Sequence, residues 1–237
     1  MTKSRLNLRN VAIFACLVAV TMIPGCDKDK DSGGDGNASR ITAINVINSF
    51  SQIATVKAQS DLVYDVIAQT PYKDDGFILE LPATVPDKDL YLLAEGAPSS
   101  IIISDKTAKC TSIDIVAFDN NDYNIGDFYL TNSDNSVYAM WMYVDKYVTI
   151  KGEYEESYGW NELIAKFDVR LSRGWNVIYE IGSYDNSTYI VTATTQRPSG
   201  VNLSWYFEGY YINTTPLQSA KFLPAEKIFF PKKASRK

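Results

Sequence analysis

Carboxylate and aromatic side chains are the residues of this chain that could carry chemistry. The 237 residues include no histidine, which excludes a Ser-His-Asp triad, a Cys-His pair and an imidazole metal site. Glu153, Glu155, Glu156 and Glu162 surround a segment rich in tyrosine and tryptophan, and a glycosidase uses two carboxylates across a cleft lined by aromatic rings. The same acids would also keep the edge of a hairpin soluble. We therefore expect no enzymatic activity, with a carboxylate-dependent glycan hydrolase as the alternative.

One segment is rich in the oxygen ligands that calcium prefers. Its candidate ligands are Asp119, Asn121, Asp122 and Asn124. The segment lacks the regular spacing and the closing glutamate of an EF-hand loop, and Asp and Asn also form turns without a metal. We expect no metal and no diffusible cofactor, and these four residues stay the calcium candidates.

Tyrosine and tryptophan are frequent, with 16 and 4 residues, and two roles are open to them. Rings that alternate inward along strands belong to a core, as we expect for Phe167, Trp175 and Trp205. Rings in loops or on the opposite strand face would be exposed, and beside Asn and Asp they would suit contact with a sugar or a protein. The predicted surface for a glycan or protein ligand consists of Tyr158, Trp160, Tyr184, Tyr210 and Tyr211.

The charge balance limits the partners of the chain. It carries 23 basic and 28 acidic residues, a net charge of -5. A nucleic-acid-binding protein needs a basic face that attracts phosphates. We therefore expect no nucleic-acid partner.

The first 25 residues have the pattern of an export signal. A basic start is followed by 13 residues, 11–23, that are apolar apart from one threonine, fewer than the about 20 that a membrane-spanning helix needs. The run ends in Ile23–Cys26, which resembles the lipobox of bacterial lipoprotein precursors. The resemblance implies cleavage before Cys26, a diacylglycerol on its thiol and an acylated amine. More than one hydrocarbon chain gives stable membrane attachment, so the expected partner is the membrane and the expected modification is a covalent lipid.

Residues 26–40 form a predicted tether. Directly after Cys26 the chain is acidic and glycine-rich, without an aromatic or branched apolar residue up to Ser39, so it cannot bury enough surface to offset its ordering entropy. An acidic run at this place resembles the signal that sends lipoproteins of Bacteroidetes-type bacteria to the outer face, although lysine interrupts it here. We predict a lipid-anchored protein exposed on the outer membrane, with a spacer that holds the domain in the periplasm as the alternative.

The elements that must position these residues are strands. Apolar residues alternate with polar ones over Glu162–Ser172, which indicates a strand with one face in a core. The following Arg173 and Gly174 predict a turn with a positive φ at the glycine and a hairpin with the strand that returns through Trp175. Val137–Val144 is apolar on both faces and should lie in the middle of a sheet. Many such strands predict an all-β fold, an antiparallel β-sandwich.

The strand pattern also predicts domain organisation. It is interrupted near residues 94–100, which suggests two packed β subdomains, 41–100 and 101–230, before a basic tail, 231–237. Cys16 leaves with the signal and Cys26 carries lipid, so Cys110 has no partner for an internal disulfide and should be a small core or edge residue.

Several motifs of the chain are turns, edge glycines and buried aromatics, namely Ala68–Phe77, Leu79–Pro82, Tyr143–Gly152, Arg173–Tyr179, Pro198–Gly200 and Trp205–Glu208. In order and spacing they resemble a group of small uncharacterised lipoproteins of Bacteroidetes-type bacteria. That group has no established activity, substrate or catalytic residue, so the resemblance implies no function. The lipobox and the strand pattern predict a lipid-anchored envelope protein that presents a non-catalytic binding or structural module.

Overall fold

The chain folds almost entirely as β-strands, as predicted. The computed structural model describes residues 38–158 and 161–210, and within them no helix is long and apolar enough to cross a membrane. A 3-10 turn covers Asp87–Asp89. The strands are β1 (Arg40–Ala43), β2 (Thr55–Ser60), β3 (Val66–Pro71), β4 (Phe77–Glu80), β5 (Tyr91–Leu92), β6 (Ile102–Ile103), β7 (Lys109–Phe118), β8 (Asn124–Thr131), β9 (Val137–Val144), β10 (Val148–Tyr158), β11 (Asn161–Leu171), β12 (Gly174–Asp185), β13 (Thr188–Thr194) and β14 (Ser204–Gly209).

The described strands form two sheets. β1 and β4 pair as a small antiparallel sheet, and the other twelve form one large sheet in the order β3-β2-β7-β8-β9-β12-β13-β11-β10-β6, with β14 on β8 and β5 on β7. The β11–β13 pair is parallel, which makes the large sheet mixed. β9 has β12 on one side and both β7 and β8 on the other. The prediction that Val137–Val144 is a central strand is confirmed.

The two faces of the large sheet bury two separate cores. Along β9, Trp141 and Tyr143 point to one face, and Met142 and Val144 point to the other. The first core packs the large sheet against the small sheet, and the indole N–H of Trp205 crosses it to donate to the Thr42 carbonyl at 3.0 Å. This packing of sheet on sheet is the predicted sandwich. The first core also contains Ile41, Leu79, Phe77, Phe128 and Phe207.

The second core lies on the opposite face of the large sheet, over β9–β13. Cys110 is fully buried in it, as predicted. Burial raises the pKa of the Cys110 thiol well above its ordinary value, since a thiolate would lose its hydration there. The other large buried side chains of this core are Leu93, Ile150, Leu163, Val169, Leu171 and Ile178.

The predicted hairpin between residues 162–172 and the strand through Trp175 is wrong. Gly174 does have a positive φ, 101°, but β11 and β12 do not pair, because β13 lies between them. β12 turns back through Asn186, whose φ is 55°, into β13, which then pairs with β11. This order places apolar residues of β13 beside those of β11, for example Val191 opposite Ala165. The turn at Gly174 only reverses the direction of the chain. Which strand pairs with β11 depends on the burial of apolar side chains.

Some of the predicted organisation lies outside the described residues, namely the signal, Cys26 and the tail. The boundary near residue 100 stays a prediction; strands from before and after it, such as β2 and β7, pair in the large sheet.

Candidate functional site

Five tyrosines from β8, β9, β12, β13 and β14 lie on the same face of the large sheet, and we call them the tyrosine face. Directly paired residues project to the same side of a sheet, and so do residues two apart on one strand. The register aligns Tyr206 with Tyr129, Tyr138 with Glu180, and Tyr184 with Tyr189. Thr131, two residues after Tyr129, is aligned with Tyr138 and connects the first pair to the second. The tyrosine face therefore comprises Tyr129, Tyr138, Tyr184, Tyr189 and Tyr206.

Two pairs of rings of the tyrosine face are in contact. Tyr129 and Tyr138 meet edge to face with centroids 6.4 Å apart, and Tyr184 and Tyr189 are 4.8 Å apart. Tyr129 is 36% exposed and Tyr184 is 64% exposed, whereas Tyr189 is buried. The face thus continues from the surface at β8 and β14 to the edge of the second core.

Carboxylates border the tyrosine face at β8 and β14. The hydroxyl groups of Tyr129 and Tyr210 both donate to Oδ2 of Asp127, Tyr129 at 3.2 Å. Glu208 is aligned with Asp127 across the β8–β14 pair. Burial, reinforced by the Asp127 charge, raises the pKa of both phenols above the ordinary value, so both stay protonated at neutral pH. The Asp127 contacts attach Tyr210 to the edge of the face.

The structure brings two of the five predicted surface residues to this face. Tyr184 is part of it, and Tyr210 is bound to its edge. Trp160, Tyr211 and the side chain of Tyr158 lie outside the described residues. Sequence analysis missed Tyr129, Tyr138, Tyr189 and Tyr206. The alternation of Asp127, Tyr129 and Thr131 along β8 would have been a usable signal for a polar outer face.

Glu180 is the second feature of this face that sequence analysis missed. It lies in the middle of β12 and is 4% exposed. Its Oε1 is buried and has no hydrogen-bond partner among the residues that the structure describes. Burial raises the pKa of the carboxyl from 4.5 to about 8, because an ionised carboxylate is poorly solvated there.

The calcium candidates form a turn closed by their own hydrogen bonds. Oδ1 of Asp119 accepts the N–H of Asn121 at 2.8 Å and that of Tyr123 at 2.9 Å. Asp122 forms an ion pair with Lys57, and Oδ1 of Asn124 accepts the N–H of Gly126 at 3.1 Å. Within the described ranges, no group of three or more acidic or cysteine side chains could hold a metal ion. These side-chain oxygens therefore stabilise the turn through hydrogen bonds and an ion pair.

The four glutamates lie along the β10–β11 pair. Glu153 forms an ion pair with Lys166 at 3.7 Å, and Oε2 of Glu162 accepts a hydrogen bond from the Thr188 hydroxyl at 3.4 Å. Glu155 and Glu156 are exposed. Positions on one pair of adjacent strands suit a soluble edge better than the opposed carboxylates of a glycosidase.

A shallow pocket of about 450 Å³ lies elsewhere, beside the β3–β4 turn. Phe50 and Tyr72 contribute its rings, and Asp74 and Asp75 contribute carboxylates. Ser49 donates to Oδ1 of Asp75 at 2.9 Å. Asp74 and Asp75 both have positive φ angles, 52° and 53°, as a two-residue hairpin turn requires, so the turn explains the two acids.

Comparison with known proteins gave no relatives: no protein-family model, no curated protein and no solved structure matches the chain.

Proposed function

We propose that the chain is a lipid-anchored, non-catalytic binding module of the cell envelope, displayed outside the outer membrane. Its ligand surface is the tyrosine face, and its ligand is a glycan or a protein. The observation that carries the proposal is the set of five tyrosines on one sheet face, with two pairs of rings in contact and with Asp127 and Glu208 at its border. Tyrosine offers a large, rigid contact area with a polar tip, and such patches are typical of contact sites.

Loss of two rings of this face should weaken ligand binding. In the double variant Tyr129→Ala with Tyr206→Ala, the paired rings of β8 and β14 are removed, and we expect affinity for the best ligand of a glycan array to fall at least tenfold. Tyr147→Ala removes a ring that is 60% exposed in the β9–β10 connection and should bind like the wild type. If the double variant bound the ligand with the same affinity as the wild type, the tyrosine face would not be the ligand surface.

The anchor has its own matched pair of variants. Cys26→Ala should move the protein from the membrane fraction to the soluble fraction and abolish palmitate labelling, because no thiol remains for the lipid. Cys16→Ala changes a cysteine that leaves with the signal and should change neither result. Unchanged membrane partitioning of Cys26→Ala would contradict the lipid anchor.

Protease treatment of intact cells tests the side of the membrane. A protein on the outer surface is expected to be degraded while a periplasmic control protein survives. If the chain survives intact cells but is degraded after the outer membrane is opened, it faces the periplasm and functions there as a structural lipoprotein.

A further inference from the structure

Within residues 38–158 and 161–210, one buried acceptor atom beside the tyrosine face lacks a donor. Glu180 is 4% exposed, and no described residue donates a hydrogen bond to its Oε1. More than about 90% of buried polar groups in proteins are hydrogen-bonded, and an unpaired one costs about 1–3 kcal/mol. A buried acceptor that the fold leaves unpaired is therefore suited to a donor from a ligand.

Two small residues and the Tyr189 ring flank Glu180. Ala193 is aligned with it on β13, and Gly182 follows it on the same face of β12. The Tyr189 hydroxyl packs directly on Gly182: a Cβ at that glycine would lie 2.1 Å from Oη. The Tyr189 ring thus covers the strand beside the carboxyl, and it also contacts the exposed ring of Tyr184. Ligand access to Glu180 from the Tyr184 side therefore requires the Tyr189 ring to move.

The groups around Glu180 are phenols and acids. Burial chiefly raises the pKa of Tyr154 on β10 and of Tyr189, and an ionised Glu180 adds to both shifts, so the carboxyl lies within electrostatic range of both rings. β9 presents Tyr138, and β11 presents the apolar ring of Phe167, which stacks on Tyr154 at 6.2 Å. The nearby acids act on these phenols: Glu156 on Tyr154 and Glu208 on Tyr138. None of these side chains is basic.

We propose that Glu180 and the surrounding phenol rings bind the primary ammonium group of a small organic ligand. The unpaired Oε1 requires an N–H donor, which a primary ammonium has and a quaternary one lacks. The faces of the rings attract a cation, and the neighbouring acids strengthen that attraction. The inference rests on the proposed function, because the ligand enters through the tyrosine face.

Binding is linked to one proton. In the empty protein near neutral pH, Glu180 carries a proton, since its pKa is about 8. The ammonium pairs with the carboxylate, so the carboxyl O–H bond breaks, its proton goes to solvent, and Oε1 then accepts an N–H of the ligand. Below pH 8 the carboxylate fraction rises about tenfold per pH unit, and affinity should rise with it.

n-Butylammonium, with n-butanol as its uncharged counterpart, tests this site by calorimetry. The wild type is expected to bind n-butylammonium at pH 8.5, and its affinity for n-butylammonium should be more than tenfold lower at pH 6. Its affinity for n-butanol should be more than tenfold lower than that for n-butylammonium at each pH. Glu180→Gln should lose at least tenfold in affinity, whereas Glu155→Gln, which removes an exposed acid on the opposite face of β10, should stay within about twofold. Equal binding of n-butanol, or full binding by Glu180→Gln, would overturn the proposal and indicate an apolar cavity instead.

A second measurement covers the case in which Glu180→Gln does not fold. Ring resonances of Tyr189 in the wild type should shift on addition of n-butylammonium and stay in place with n-butanol, and no shift would reject the site. This outcome is separate from the proposed function. Loss of array binding in the Tyr129 and Tyr206 double variant without any n-butylammonium binding would reject the ammonium site alone.

Discussion

Trp205→Ala is expected to lower the free energy of unfolding by about 3–5 kcal/mol, the usual range for deleting a large buried aromatic side chain. Trp205 is 6% exposed and lies between the two sheets. Its indole stacks on Trp141 at 5.7 Å and meets Phe77 of the small sheet at 5.3 Å. The variant loses both ring contacts and the hydrogen bond to the Thr42 carbonyl, so it loosens the small sheet.

Urea unfolding followed by circular dichroism measures this effect. Trp205→Phe keeps a ring but removes the indole N–H, so we expect a smaller loss, about 1–2 kcal/mol. Tyr147→Ala, at an exposed position, should stay within about 0.5 kcal/mol of the wild type. If Trp205→Ala unfolded within 1 kcal/mol of the wild type, roughly, the indole would not hold the sheets together.

Glu180→Gln is expected to change how stability depends on pH. The pKa of Glu180 is about 8 in the folded protein and 4.5 in its ordinary state. Between these values the folded chain holds a proton that the unfolded chain has released, so the free energy of unfolding falls as pH rises, by up to about 1.4 kcal/mol per pH unit. The stabilisation that the Glu180 proton gives the folded chain is complete below pH 4.5 and lost above pH 8. Glutamine cannot ionise, so the free energy of unfolding of the variant should not show this fall with pH.

The difference in stability between wild type and variant isolates the effect. It should shift by several kcal/mol in favour of Glu180→Gln from pH 5 to pH 9, measured by urea unfolding at each pH. Acids whose pKa is lowered, such as Asp105 and Asp134, lose their contribution only at lower pH and cancel in the difference. Glu156→Gln should give a constant difference across this range, and a constant difference for Glu180→Gln would refute the buried-acid interpretation.

Strand positions followed from local patterning. The alternation over 162–172 predicted β11, and the doubly apolar run 137–144 predicted the central β9 to within a residue. Gly174 was predicted at a positive φ, and it has one. These predictions succeed because a half-buried strand must repeat its apolar side chains every second residue, and because glycine tolerates positive φ without a Cβ clash.

The face on which Glu180 lies could not be read from its strand. The pattern around Trp175 places Asn176 and Glu180 on the side opposite the indole, where a polar side chain would normally meet water. In the structure that side carries the second core, so Glu180 is buried there with Ile178. Whether the second face of a strand meets water depends on what folds over it, which local sequence does not show.

The chain by itself therefore determined the strands, the turns and the all-β class, since these follow from side-chain periodicity and backbone geometry within about ten residues. Tertiary structure alone decided that β13 separates β11 from β12 and that tyrosines of five strands share one face. It also decided that a buried carboxyl beside them has one oxygen to which no described residue donates a hydrogen bond. The reason is that pairing and burial join residues far apart in the chain, such as Trp205 and Thr42, and depend on how well whole faces pack together.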